Sequence, residues 1–180
     1  MVDLSHSGHQ LCLDAARASA APVSINHTGC KAIVDVPRNK TDEELKLVGN
    51  KGRYVGIYFM MFLAQGRMST VDDAVAHIEH AVRVCGEDHV GIGSDYGIVE
   101  LGEMQGVREF WANFVKRRIA DQTAATGENP DILPFSEGLI GPEQFRNLYR
   151  ALAKRGHKTA MIEKIMGRNY VRFAKEIWDA

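Results

Sequence analysis

Short apolar runs alternate, over the first half of the chain, with stretches in which apolar residues recur every three or four positions. Runs rich in β-branched or aromatic residues predict strands at residues 2–4, 23–25, 54–59 and 90–95. The third run is apolar without alternation, as expected for a strand buried on both faces. Helical spacing follows each of the first three runs. A strand followed each time by a helix predicts a parallel α/β fold.

Helix boundaries are marked by residues that satisfy free backbone groups. The sequence Thr41-Asp42-Glu43-Glu44 is a capping box that begins a helix ending at the break 49–52. Thr70 is the predicted N-cap of a longer helix that Gly86 ends. Its apolar residues recur at alternating spacings of four and three, which indicates one buried face: Val71, Val75, Ile78, Val82 and Cys85.

The regular alternation stops after residue 97. Residues 98–141 are predicted to form an extended loop and one amphipathic helix, 106–120, followed by a surface loop over 122–139. Residues 142–180 form the C-terminal helices, with Pro142 in the first turn of one of them. We therefore expect a single domain over 1–180 in which 1–97 holds four βα units. A closed eight-stranded barrel needs about 250 residues, so four strands correspond to half of one.

Composition narrows the function classes. Of 180 residues, 22 are Lys or Arg and 23 are Asp or Glu, giving a net charge of −1 with seven histidines neutral. This balance argues against nucleic acid or an anionic membrane as a partner. We expect no signal peptide and no membrane segment, hence a cytoplasmic protein. Three widely spaced cysteines indicate free thiols, and packing is favoured for Cys30.

Two histidines follow corresponding strands. His6 and His27 are 21 residues apart, one after each of the first two strands. Neighbouring parallel strands lie about 5 Å apart, so both imidazoles can reach one cation. Imidazole suits zinc, cobalt, nickel or iron. The alternative is that each histidine caps its strand with a hydrogen bond.

Two further residues are candidates for substrate chemistry. Asp95 ends the fourth predicted strand, where a carboxylate could accept a proton from a metal-bound water and pass it to a leaving amine. Arg38, in the loop after the second strand, could bind a substrate carboxylate in a bidentate pair. The alternatives are a turn acid for Asp95 and a solvated loop residue for Arg38.

The remaining histidines fit structural roles better. His77 and His80 form an i, i+3 pair beside the predicted buried face of the helix after Thr70, away from the strand ends. We interpret both as structural. His9 is close enough in sequence to His6 to support it.

Several stretches of the chain resemble the membrane dipeptidase (renal dipeptidase) family of zinc metallopeptidases, which have an amidohydrolase-type barrel. Their order and spacing agree over nearly the whole chain, which makes the resemblance specific. The stretches are MVDLSH (1–6), APVSINHTGCKA (21–32), PRN (37–39), DAVAHIEH (73–80), DHVGIGSDY (88–96) and MGRNYVR (166–172).

The resemblance implies a fold and a set of roles. The chain corresponds to strands five to eight of a TIM-like (β/α)₈ barrel, and the substrate is a small dipeptide. His6 and His27 ligate one of two zinc ions, Arg38 binds the dipeptide's C-terminal carboxylate, and Asp95 handles the proton and the free amine.

The chain also departs from the family pattern. The family's His-x-Asp strand, bridging glutamate and further substrate-binding histidine have no counterpart in it, so we expect a fragment that is inactive alone. Gly97 follows Tyr96 where the family usually has Asp-Gly, and 106–138 is longer than the usual connection, which leaves the substrate range open. The alternatives are a related amidohydrolase acting on another amide or a lactam, and an inactive half-barrel that oligomerises, either with itself as a homodimer or with a partner chain.

Overall fold

The computed structural model describes residues 1–49, 53–98, 100 and 102–178. Within these residues, four parallel strands form one sheet in which neighbours in space are also neighbours in sequence. The strands are β1 (Val2–Asp3), β2 (Val23–Thr28), β3 (Tyr54–Ile57) and β4 (Val90–Ile92). The predicted parallel α/β class is confirmed.

Helices connect the strands and then continue beyond the sheet. In the described residues, three α-helices separate the four strands and four more α-helices follow β4. The helices are α1 (His9–Ala18), α2 (Asp42–Gly49), α3 (Val71–Cys85), α4 (Met104–Ala120), α5 (Gln144–Lys154), α6 (Thr159–Glu163) and α7 (Asn169–Trp178).

One face of the sheet packs against helices. Ile25, Val55, Ile57 and Val90 are fully buried in the main apolar cluster. The helical members of that cluster belong mainly to α1, α2, α3 and α5, and include Cys12, Leu45, Val48, Val75, Ile78 and Leu148. Burial of an aliphatic side chain contributes about 1.5–3 kcal/mol, so this layer fixes the position of the strands.

Both predicted helix caps are confirmed. The Thr70 hydroxyl accepts from the Asp73 N–H, and the Asp73 carboxylate accepts from the Thr70 N–H at 2.8 Å. Before α2, Glu44 accepts from the Thr41 N–H at 2.9 Å and the Glu44 N–H donates to the Thr41 hydroxyl at 3.3 Å. The predicted break after α2 lies mostly at 50–52, outside the described residues.

Strand lengths differ from the prediction in a way that matters for the site. β2 was expected at 23–25 but continues to Thr28, so His27 lies inside the strand. β4 was expected at 90–95 but ends at Ile92. Asp95 therefore lies in the loop after the strand, with a φ of 59°. Asp is among the few non-glycine residues that tolerate this left-handed backbone.

α4 forms as a helix, but its apolar residues are not packed as a core face. Val115 is the buried residue of this helix, whereas Phe110 is 72% and Ile119 52% exposed. Trp111 is half-buried, and its indole N–H donates to the carbonyls of Asn129 and Ile132. No helix in the described part of the chain combines the length and apolar character needed to cross a membrane.

Candidate metal and substrate site

The two candidate ligands lie next to each other at the carboxyl ends of β1 and β2. The Nε2 atoms of His6 and His27 are 2.8 Å apart, and the rings meet edge to face with centroids 4.8 Å apart. Zinc binds imidazole nitrogen at about 2.0–2.1 Å, so nitrogens at this separation can both reach one ion. His6 is exposed and His27 half-buried. The pair thus fits as part of a metal site open to substrate.

The pair supplies two ligands. Catalytic zinc sites usually have three protein ligands and an open position for water. Among residues 1–49, 53–98, 100 and 102–178, no group of three or more His, Cys, Asp or Glu side chains is arranged to hold a metal ion. His6 and His27 therefore fit as one part of a larger ligand set.

Arg38 joins this pair. Its Nη1 lies 2.6 Å from Nδ1 of His6, and the guanidinium stacks over the Phe62 ring at 5.5 Å from its centroid. Because a guanidinium only donates, His6 Nδ1 is the acceptor, and a neutral ring then carries its proton on Nε2. Ligation of a metal through Nε2 therefore requires Arg38 to release Nδ1.

The surroundings of the His6 ring favour its neutral form. Burial is the largest cause that lowers the pKa of His6 below its usual value, and the positive charge of Arg38 lowers it further. The carboxylates of Asp95 and Asp3 act in the opposite direction. A neutral imidazole is the form that binds a metal. Asp95 is thus near enough to act electrostatically on His6.

The loop that carries Arg38 is held by buried polar contacts that the sequence did not single out. Asn39 is 3% exposed and donates to the carbonyls of Val34 and Phe62, while its own oxygen accepts from the Tyr58 hydroxyl. The Arg38 carbonyl accepts from Thr28 at 3.4 Å. Satisfied buried polar networks rigidify a loop. Two features of the sequence could have indicated this network: Tyr58 lies in the apolar run 54–59, and an asparagine directly follows Arg38.

Lys40 anchors the turn after His6. Its ammonium is nearly buried and donates to the Ser7 carbonyl at 2.6 Å, beside the Glu44 carboxylate at 3.2 Å. This contact links the end of the Arg38 loop to the residue that follows His6. The predicted supporting residue His9 instead pairs with Glu44, at 3.1 Å.

His77 and His80 contact other parts of the chain. The His77 ring is fully buried: Nδ1 accepts from the Cys30 N–H at 2.8 Å, so Nε2 donates to the Leu63 carbonyl at 3.1 Å. His80 Nε2 lies 2.7 Å from the Asp42 carboxylate. Burial raises the pKa of the Cys30 thiol, which favours its packing role over reactivity.

Sequence comparison assigns the family. Residues 1–129 match the model of the family described as "Membrane dipeptidase (Peptidase family M19)". The chain is 26% identical to an uncharacterized protein in the pqqA 5′ region of Klebsiella pneumoniae, over 98% of this chain and 55% of that protein. It is 30% identical to dipeptidase tcpJ of Claviceps purpurea, over 99% of this chain and 35% of that protein.

Solved structures share the fold. An amidohydrolase from Pseudomonas aeruginosa superposes with a TM-score of 0.79 at 32% identity, over all of this chain and 53% of the other. A metallo peptidase from Rhodobacter sphaeroides, liganded with a phosphinate mimic of the dipeptide L-Ala-D-Ala, superposes with a TM-score of 0.72 at 23% identity. The present chain covers 42% of the length of that metallo peptidase. The chain thus spans about a third to a half of the relatives it matches.

The family match covers well over half of the chain, and the four strands, the helices α1 to α4 and the histidine pair lie within the aligned region. The chain therefore belongs to the membrane dipeptidase family, peptidase family M19.

Proposed function

We propose that this chain forms the two-histidine side of a metal-dependent dipeptidase site that cleaves the peptide bond of small dipeptides. The observation that carries the proposal is the convergence of three side chains: His6 and His27 at 2.8 Å and Arg38 at 2.6 Å from His6. Family membership supports metallopeptidase chemistry for such a cluster.

Each side chain has a task in this proposal. His6 and His27 would hold a zinc ion, which when bound activates water for attack on the peptide carbonyl. Arg38 would bind the substrate's C-terminal carboxylate, for which its planar pair of donors is suited. Asp95, exposed in the loop after β4, would accept a proton and hold the free amine.

The proposal includes a segment that completes the site. Two imidazoles are fewer than the three protein ligands of a typical catalytic zinc, so a further ligand would come from a segment packed beside β1 or β4. We expect the purified 180-residue chain to bind zinc weakly and to hydrolyse no dipeptide. Metal-dependent turnover by this chain alone would contradict that expectation.

A chimera tests the activity. This chain would replace the superposing half of the Pseudomonas aeruginosa amidohydrolase, and zinc-dependent hydrolysis of dipeptides such as L-Ala-D-Ala would be measured beside cyclic amides. We expect dipeptide turnover that His27→Ala abolishes. Arg38→Ala removes a charge-assisted pair and should raise KM roughly 10- to 100-fold.

Two controls make the outcome decisive. Arg117→Ala removes an exposed arginine of α4 that pairs with Asp121, and should leave the kinetics unchanged. The parent amidohydrolase is assayed on the same panel. A folded, zinc-loaded chimera that cleaves cyclic amides and no dipeptide would replace the dipeptide with another amide or a lactam as substrate.

A homodimer is a second proposal, favoured by the sheet edges. In the described part of the chain, β1 and β4 each pair on one side only, and Val2 at the β1 edge is 54% exposed. Open edges of a parallel sheet are available for further pairing. Sedimentation equilibrium should show a concentration-dependent mass; a monomer at all concentrations would rule self-association out.

A further inference from the structure

One carboxylate oxygen connects the strands that carry the two histidines. Oδ1 of Asp3 accepts from the Ser5 N–H at 3.0 Å, the Ser5 hydroxyl at 2.5 Å and the Asn26 N–H at 3.0 Å. The Ser5 hydroxyl in turn accepts from the His27 N–H at 3.0 Å. Two side chains of the β1 segment therefore hold two consecutive amides of β2.

Those two amides belong to a bulge in β2. Ile25 pairs with Val55 and Thr28 pairs with Ile57, so Asn26 and His27 together oppose the single residue Gly56. A bulge inserts one residue, disrupts the ladder locally and re-aims the side chains near it. His27 is a bulge residue, so the direction of its ring depends on how the bulge is held.

The other strands leave room for the bulge. A Cβ on Gly56 would lie 2.0 Å from the Asn26 carbonyl oxygen, and one on Gly93 would lie 1.7 Å from the same atom and 3.2 Å from the His27 Cβ. Both distances are far inside van der Waals contact. Only glycine at these two positions lets the Asn26 carbonyl lie where the bulge places it.

We infer that Asp3 is a positioning residue that, through Ser5, holds the β2 bulge and thereby aims His27 at His6. The inference rests on the proposed function to the extent that His27 is used as a ligand. The bond to Asn26 spans 23 residues, which distinguishes this contact from a local turn of Asp3 with Ser5 alone. Loss of the Asp3 carboxylate removes the acceptor of the Asn26 amide and the group that orients the Ser5 hydroxyl under the His27 amide, and lets the His27 ring turn away from His6.

Zinc affinity of the full chain measures this positioning. In calorimetric titrations with Zn²⁺, Asp3→Ala should weaken binding about 10- to 100-fold, the usual effect of removing a group that orients a ligand. Asp3→Asn keeps an oxygen acceptor at the same place and should restore affinity to within a few-fold. Asp14→Ala removes an exposed acid of α1 that contacts Gln10 and Arg17, and should leave affinity unchanged.

Ring proximity provides a readout that needs no metal. With centroids 4.8 Å apart, the His6 and His27 ring protons should give a nuclear Overhauser effect, and the Asn26 and His27 amides should exchange slowly. Both signals should disappear in Asp3→Ala and persist in Asp3→Asn and Asp14→Ala. A urea midpoint close to that of the wild type would show that the protein stays folded.

The two readouts separate this inference from the proposed function. If the wild type binds zinc no better than His6→Ala or His27→Ala does, the metal proposal fails, and the ring contact and amide exchange still decide the role of Asp3. If Asp3→Ala keeps wild-type zinc affinity, ring contact and amide protection, the inference is wrong. Should Asp3→Ala not fold, Ser5→Ala tests the link through Ser5, because it removes the acceptor of the His27 amide and leaves the Asp3–Asn26 bond; an unchanged ring contact and unchanged His27 amide protection would then overturn the inference.

Discussion

His77 and the pair His6–His27 show two different environments for the same residue type. The His77 ring, inside α3, gives one nitrogen to the Cys30 amide and the other to the Leu63 carbonyl. His6 and His27 instead turn Nε2 toward each other at the open ends of β1 and β2. A nitrogen already bonded to backbone cannot ligate a metal. What the ring nitrogens face, rather than the presence of histidine, separates the buried, backbone-bonded His77 from the two histidines that we propose as ligands.

The largest effect expected from this comparison is the loss of stability in His77→Ala. The substitution leaves a cavity and two buried backbone groups without partners, so the free energy of unfolding should fall by about 4 kcal/mol. Urea denaturation followed by circular dichroism measures it. His80→Ala, which removes a ring whose polar contacts are with the exposed Asp42 carboxylate and with Arg83, is the matched control and should cost far less. Equal effects of the two variants would contradict the structural role of His77.

The pH dependence of the free energy of unfolding should also reveal that the His77 ring is buried. Burial lowers the pKa of His77 to about 4 from 6.5, so between these values the unfolded chain binds a proton that the folded protein excludes. The contribution of the neutral His77 ring to the free energy of unfolding is therefore fully present above pH 6.5. It is lost as the pH decreases toward 4, by about 3 kcal/mol in total. Urea midpoints at pH 7, 6 and 5 trace this slope. In His77→Gln the slope should flatten over the same window, and an unchanged slope would assign the proton to another group.

A smaller effect is expected at the start of the helix that holds His77. Thr70→Ala removes the hydroxyl that accepts from the Asp73 N–H, and should lower the free energy of unfolding by about 1 kcal/mol. The affinity for zinc should not change, because the Thr70 hydroxyl bonds to Asp73 and not to His6 or His27. Thr70→Ser keeps the hydroxyl and should restore stability. A change in zinc affinity would show that the two regions are coupled.

The smallest stability effect is expected at the pair itself. His6 is exposed and His6→Ala should change the free energy of unfolding by no more than about 0.5 kcal/mol. The same substitution should abolish the increase in melting temperature that zinc produces, since binding to the folded state alone is what raises it. Thermal denaturation with and without zinc gives both values. A large loss of stability without zinc would make His6 structural, like His77.

Local sequence signals predicted much of the fold. The capping boxes at Thr41 and Thr70 were found because their hydrogen bonds join residues three positions apart, which a sequence shows directly. The strand positions followed from runs of apolar residues. The helix over 106–120 was also found, but not the exposure of Phe110, because the pattern records that a face is apolar and not whether anything covers it.

The structure brings three of the predicted site residues together, His6, His27 and Arg38, and the sequence did not indicate the residues that support them. His6, His27, Arg38 and Asp95 were named because they follow strands and match a family pattern. Asp3, Asn39 and Lys40 were not, because each acts through a partner distant in sequence. The expected end of β2 at residue 25 was wrong for a related reason: the bulge at Asn26 and His27 breaks the alternation that marks a strand.

The sequence by itself determined the order of strands and helices, the helix caps, the family and the two histidines near the ends of successive strands. These depend on contacts within a few residues or on side-chain type. Tertiary structure alone decided which group each histidine nitrogen contacts. The Cys30 amide lies 47 positions from His77, and the Asn26 amide 23 from Asp3. Such contacts form only when packing of the sheet against its helices brings distant segments together, and they set the direction of each ring.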